Sequence, residues 1–157
     1  MNKRKRIIFR IVIFLLLLAF VIFIAVTGRK KAVVGIESTV ILQVPDGVTM
    51  EVVETSRKRR ATITVRNSSS QRYAGNAGVY CIEKEIDGVW YILKDDNYSI
   101  ADETWNLAPG GSFTQELDWY DHFGILSKGH YRIVKYLFEK KNEPGLDICI
   151  AAEFDIK

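Results

Sequence analysis

The chain has 157 residues, 26% of them charged and 48% apolar, with a formal net charge of +3. That charge is unevenly spread. Eight of the 22 Lys and Arg fall in residues 1–31, which hold none of the 19 Asp and Glu, so the remainder carries 14 basic against 19 acidic side chains, a net of −5. An acidic body excludes the usual route to nucleic acid, whose binding is driven by basic surface.

Residues 1–6 form a short basic tail, and Ile7 to Val26 is apolar throughout except for Arg10. Twenty helical residues at about 1.5 Å each cover about 30 Å, the thickness of a bilayer's hydrocarbon core. Lys3, Arg4, Lys5, Arg6 and Arg10 outweigh Arg29, Lys30 and Lys31 after the run, an asymmetry that keeps the N-terminus cytoplasmic and exports the rest of the chain. Arg10 lies one turn from the cytoplasmic end, where its stem can carry the charge back to the headgroups. The apolar region of a cleaved signal runs about 7–15 residues and ends at small residues. Ile11 to Val26 is longer, and Ala25-Val26-Thr27-Gly28 is a mediocre cleavage site. Segment 7–27 is therefore expected to be an uncleaved single-pass signal-anchor in the cell membrane, 28–37 a linker, and 38–157 one extracytoplasmic domain. About 120 residues suffice for one core and not for two.

That domain reads as strands almost from end to end. Ser38 to Val44 is rich in β-branched residues and stops at Pro45-Asp46-Gly47, a turn signal. Thr49 to Glu54 is a second short run. Ala61 to Arg66 alternates, which puts Ala61, Ile63 and Val65 inward and Thr62, Thr64 and Arg66 in water. Val79 to Ile86 and Val89 to Leu93 flank Asp87-Gly88, a preferred pair for a two-residue hairpin turn. A polar stretch, Lys94 to Gly110, precedes a strand with Phe113, Leu117 and Trp119 on one face. Tyr131 to Phe138 and Ile148 to Ile156 close the chain, joined by a turn containing Asn142, Pro144 and Gly145. Trp90 and Trp119 both fall in a strand's alternation and are expected in the core. Seven or eight short strands at regular spacing predict an all-β fold, an antiparallel immunoglobulin-like β-sandwich behind one N-terminal transmembrane helix. Tyr131 opens the penultimate strand with an apolar residue, Ile133, two positions on. That is the tyrosine-corner pattern, in which the phenol turns inward and its hydroxyl bonds backbone upstream.

Three motifs in order carry a resemblance: Glu83-Lys84-Glu85-Ile86-Asp87-Gly88-Val89-Trp90-Tyr91, then Leu107-Ala108-Pro109-Gly110 before a strand ending Asp118-Trp119, then Gly129-His130-Tyr131-Arg132-Ile133-Val134-Lys135. Over about residues 38–156 the chain resembles the bacterial Ig-like domains of Gram-positive exported or membrane-anchored proteins. The resemblance implies a β-sandwich outside the membrane with no known catalytic activity, and it carries over no site residues.

Alternation turns Cys81 and Cys149 to the same outer face, with the strand of Tyr131 between them in an immunoglobulin-like order. Strands two apart lie about 9–10 Å from each other, beyond the roughly 7 Å between Cα atoms that a disulfide spans, so free thiols are expected. For catalysis there are only His122 and His130. Asp118-Trp119-Tyr120-Asp121-His122 offers too few ligands for a metal, which needs three or four, and reads as a polar connection. His130 is read as a surface residue. No nucleophile elbow, Ser-x-x-Lys pair or phosphate-cradling glycine loop occurs. The expectation is a non-enzyme without cofactor or metal. Asn67-Ser68-Ser69 and Asn97-Tyr98-Ser99 match the glycosylation pattern by chance in a bacterial chain.

Two surfaces remain. The acidic stretch Lys94 to Trp105 is long for a sandwich connection. Tyr98 and Trp105 would serve as its anchors for an envelope protein partner, with Asp95, Asp96, Asp102 and Glu103 setting charge preference; the bland alternative is that Tyr98, Ile100 and Trp105 cover a sheet edge. Arg57-Lys58-Arg59-Arg60 is either a polyanion grip on cell-wall polymer or a solvated turn. The expected role is an adaptor or accessory subunit. The alternatives are a wall-polymer or surface-polymer binding module, or an inhibitor of an exported hydrolase that plugs it with a loop.

Overall fold

The structure, a computed structural model, describes residues 3–56, 58–97, 103–139 and 148–157. The chain divides into two compact units, residues 1–30 and 31–157. The first is a single helix, α1 (Lys3–Thr27), whose 25 residues run without Gly or Pro and stop at Gly28, as helix propensity dictates. Among the described residues, no helix is long and apolar enough to cross a membrane.

The second unit is an antiparallel two-sheet sandwich. Its strands are β1 (Val34–Glu37), β2 (Val48–Ser56), β3 (Arg60–Asn67), β4 (Tyr73–Ile86), β5 (Val89–Leu93), β6 (Thr104–Leu107), β7 (Ser112–Asp118), β8 (Gly129–Glu139) and β9 (Ile148–Ile156), with a four-residue helix, α2 (Tyr120–Phe123), after β7. One sheet runs β1-β5-β4-β8-β9, with β6 also paired to β4; the other runs β2-β3-β7. The β4–β5 turn has positive φ at both Asp87 (52°) and Gly88 (81°), the backbone of a type I′ turn, which only Gly, Asn and Asp enter cheaply. Inward side chains of the two sheets interlock: Ala61, Ile63 and Leu117 meet Ile82, Leu93, Tyr131, Ile133, Phe154 and Ile156 around the fully buried Trp119. A second cluster joins Val48 and Val65 to Tyr73, Trp105, Leu107, Leu137 and Ile150. The tyrosine corner forms as expected, with the buried Tyr131 hydroxyl donating to Ser127 O at 2.9 Å. The turn around Asn142, Pro144 and Gly145 lies outside the described residues.

Three expectations are corrected. Ser38–Val44 is not a strand. The first strand is β1, inside the expected linker, and it pairs antiparallel with β5. Residues 38–44 instead run as a strap from β5, where Ser38 N donates to Trp90 O, to β9, where Gln43 N donates to Cys149 O. β-branched residues favour extended backbone, but extended backbone need not join a ladder. Thr64, expected in water, is buried, because its hydroxyl pairs with that of Thr114 across the β3–β7 ladder at 2.9 Å. Trp90, expected in the core, is half-buried on the outer face: its strand turns Leu93 inward, so Trp90 points the other way and lies under the Arg132 guanidinium at 4.4 Å.

Candidate functional site

The acidic stretch after β5 is only in part a loop. Its last residues build β6, which pairs with the start of β4 in the register Gly75↔Trp105. Trp105 is 6% exposed and stacks on Phe113 at 4.2 Å between ring centroids, with planes 3° apart. It therefore cannot anchor a partner at the surface. The sequence did carry a signal for this. Gly75 sits inside a strand, where glycine marks close approach of another group, and a Cβ there would meet the Trp105 ring at 2.6 Å. Asp96 and Glu103 are exposed, whereas Tyr98 and Asp102 lie outside the described residues.

Asp95 is held back against the body of the domain. Its two carboxylate oxygens lie 3.1 and 3.2 Å from His122 Nδ1, and one accepts from Asn97 N at 2.9 Å. α2 presents His122 because the chain turns sharply after the buried Trp119, with Gly124 at φ 80° ending the helix. His122 and Phe123 both pack against Tyr80. Burial, and then the charges of Asp95 and Asp118, push the Tyr80 phenol upward, so it keeps its proton. Among the described residues, no group of three or more His, Cys, Asp and Glu is placed to hold a metal.

The basic run forms the β2–β3 hairpin turn, of which Arg57 lies outside the described residues. Lys58 takes a positive φ of 60°, and its carbonyl accepts from Trp119 Nε1 and Leu126 N. Arg59 lies over the Tyr120 ring at 4.5 Å and 3.6 Å from Asp118. Arg60 bonds Glu116 at 3.2 Å and Asp118 at 2.9 Å. The two arginines are thus committed to carboxylates of the next strand, which lowers the charge on offer to a polymer.

The outer face of the larger sheet, under the strap, holds a polar group that sequence reasoning missed. Glu83 is fully buried, accepts from Arg132 Nε at 2.5 Å and from Ser38 Oγ at 2.6 Å, and lies beside Cys81. A buried ion pair needs such additional hydrogen bonds, and the strap supplies one. Cys81 and Cys149 are half-buried on this face and not joined by a disulfide, with β8 between their strands as expected. Cys81 faces Val134, and Cys149 faces Tyr136, two residues further along β8. Burial, then the charge of Glu83, raises the Cys81 thiol to about 12, so it is no nucleophile at neutral pH. His130, a surface residue as expected, lies 2.9 Å from Asp155 and 3.2 Å from Glu153, and those bonds raise its pKa.

A second buried cation sits between the sheets. Lys135 is 0% exposed; its Nζ donates to Ala77 O at 2.9 Å and Gln115 Oε1 at 3.1 Å, and burial lowers its pKa to about 8. The register shift in β4 between Gly75 and Tyr80 frees the Ala77 carbonyl that Lys135 occupies.

A family model described as a bacterial Ig-like domain matches residues 45–155. Comparison with curated proteins returns no match. Among solved structures, the chain is similar to an X-ray structure of a Northeast Structural Genomics Consortium target (13% identity over 72% of this chain and 88% of the other, TM-score 0.40). It is also similar to a crystal structure of a protein from Archaeoglobus fulgidus (13% identity, 71% and 97%, TM-score 0.30). At those scores neither structure bears on what this chain does.

Proposed function

The chain belongs to the bacterial Ig-like domain family, and from that premise we propose that it is a non-catalytic, membrane-anchored module that binds another envelope protein as an adaptor or accessory subunit. Membership of that family fits a surface or extracellular module. Support for the anchor comes from the sequence, in the apolar run from Ile7 to Val26 and the excess of positive charge before it. Support for a non-catalytic role is the lack of a nucleophile, base or metal motif in that sequence.

The observation that carries the binding role is where apolar surface is exposed on the domain. Val33, Ile36, Ile41, Leu42 and Val44 all present side chains to solvent, Ile36 and Ile41 at 75% exposure, on one short segment, residues 33–44. Apolar surface gathered in one place marks docking faces, whereas single exposed residues need no explanation. The acidic residues Asp96 and Glu103, with Tyr98 and Asp102 beside them in the chain, form the second surface of this proposal. The wall-polymer reading through Arg57–Arg60 is weakened by the ion pairs of Arg59 and Arg60.

The test is crosslinking in intact cells, then affinity purification of the tagged full-length protein and mass spectrometry. The comparison is with Ile36→Ser/Ile41→Ser and with Tyr98→Ala. One dominant protein partner, lost in the double serine variant, is the expected result. Loss in Tyr98→Ala alone moves the contact to the acidic loop. Wall fragments without a specific protein overturn the adaptor reading.

A further inference from the structure

The longest strand of the domain has an interrupted edge. β8 follows one side of β4 along most of its length. On the other side β6 pairs only with Tyr73 to Asn76, and β5 only with Glu83 to Ile86. Between them, among the described residues, 77–82 have no strand beside them on that side, and the sheet opens into a cleft of about 610 Å³. That size lies within the roughly 300–1,000 Å³ of small-molecule sites.

Its walls are aromatic and aliphatic. Val79, Ile92, Leu93, Phe123, Phe138 and the rings of Tyr80 and Tyr136 line it, with Asn76, Cys81 and Asp95. Among these lining residues there is no Lys, Arg or His. The Tyr80 and Tyr136 phenols are held above their ordinary pKa chiefly by burial, and the Cys81 thiol likewise, so all three stay neutral. Among the described lining residues the one charge is the Asp95 carboxylate, whose side chain is 19% exposed. The Lys135 ammonium, held by Ala77 O and Gln115 Oε1, lies 5.7 Å from the Tyr80 ring centroid. Tyr80 and Phe123 gather at the same end, their centroids 5.9 Å apart, and His122 ties Asp95 to that end.

A carboxylate beside aromatic faces in a partly dry cleft selects against anions and for positive charge, because the ring quadrupoles and the carboxylate attract the same sign. We propose that this cleft is a binding site for a small organic cation, an amine or quaternary ammonium head on an apolar body. The head lies at Asp95 and the rings of Tyr80 and Phe123, and the body extends along Val79, Ile92, Tyr136 and Phe138. The cleft is separate from the strap, since none of its described lining residues belongs to segment 33–44.

The experiment is saturation-transfer NMR and calorimetric titration of the full chain in lipid nanodiscs with three probes on one benzyl frame: benzyltrimethylammonium, neutral neopentylbenzene and anionic phenylmethanesulfonate. The cation is expected to bind about tenfold more tightly than the neutral isostere, as a desolvated cation–π contact with a carboxylate supports, and the anion not to bind. Asp95→Asn should remove the preference for the cation while leaving the neutral probe unaffected. Val79→Trp, which fills the cleft, should abolish both. Circular dichroism of each variant separates loss of the site from loss of the fold. Equal affinity for cation and neutral probe, cation binding that survives Val79→Trp in a folded protein, or no saturable binding of any probe would overturn the proposal.

Discussion

At the scale of single residues, the informative groups are the polar ones that the fold takes out of water. Lys135 has a folded pKa of about 8 against an ordinary 10.5, and the cause is burial. A base whose folded pKa is lowered binds fewer protons in the native state than in the unfolded chain between those values. Its contribution to stability is therefore complete above pH 10.5 and is lost as pH falls through 8. The lost amount is of the order of 3 kcal/mol. Cys81 works in the opposite direction. Its raised pKa contributes stability that is complete below pH 9 and lost as pH rises toward 12. The two overlap, so the test is a difference. Chemical denaturation of wild type and Lys135→Met from pH 7.5 to 10.5 should show wild type gaining stability relative to the variant as pH rises. A constant difference across that range would mean that Lys135 keeps its ordinary pKa in the native domain and that burial does not lower it. Tyr131→Phe removes only the hydroxyl that bonds Ser127 O, and should cost about 1 kcal/mol in the same assay with the denaturant slope unchanged.

At the scale of elements, β6 and the strap decide what the surface looks like. β6 is four residues long, and besides its ladder with β4 it is held by one flat contact, the Trp105 ring against Gly75. Gly75→Ala puts a methyl group 2.6 Å from that ring. The variant should be destabilised by about 1–3 kcal/mol, the usual cost of overpacking, which a thermal melt would detect. An unchanged midpoint would show that Trp105 moves aside freely, and would reopen its role as a surface anchor. Most of the elements themselves are readable from the chain. The alternation of β3, the Asp87-Gly88 turn and the inward row of β9 all depend on neighbours a few residues apart. Ser38–Val44 misleads for the same reason: its local preference for extended backbone is real, and whether that backbone joins a ladder is settled by strands distant in sequence.

At the scale of the molecule, the domain is held by packing between its sheets and not by a covalent staple. Cys81 and Cys149 form no disulfide and lie on strands separated by β8. The melting temperature of the full chain should be the same with and without a reducing agent, and titration under denaturing, non-reducing conditions should find two thiols per chain. A midpoint that falls on reduction would require a bridge and with it a different strand order. The interrupted edge of β4 belongs to this scale as well, because it exists only through the way β5 and β6 divide one side of a single long strand.

By itself the sequence determined the all-β sandwich, the turn that joins β4 to β5, the buried tyrosine corner, the inward faces of β3, β7 and β9, and thiols too far apart to bond. Each follows from period-two alternation and turn chemistry, which act over a few residues. Tertiary structure decided which tryptophan is covered. Trp90 falls in a strand's alternation and stays half-exposed, whereas Trp105 lies in a polar stretch and is buried. Alternation says that two faces differ, but not what lies over them. That depends on segments far away in the chain: the strap over Glu83, Gly75 under Trp105, and the gap beside residues 77–82.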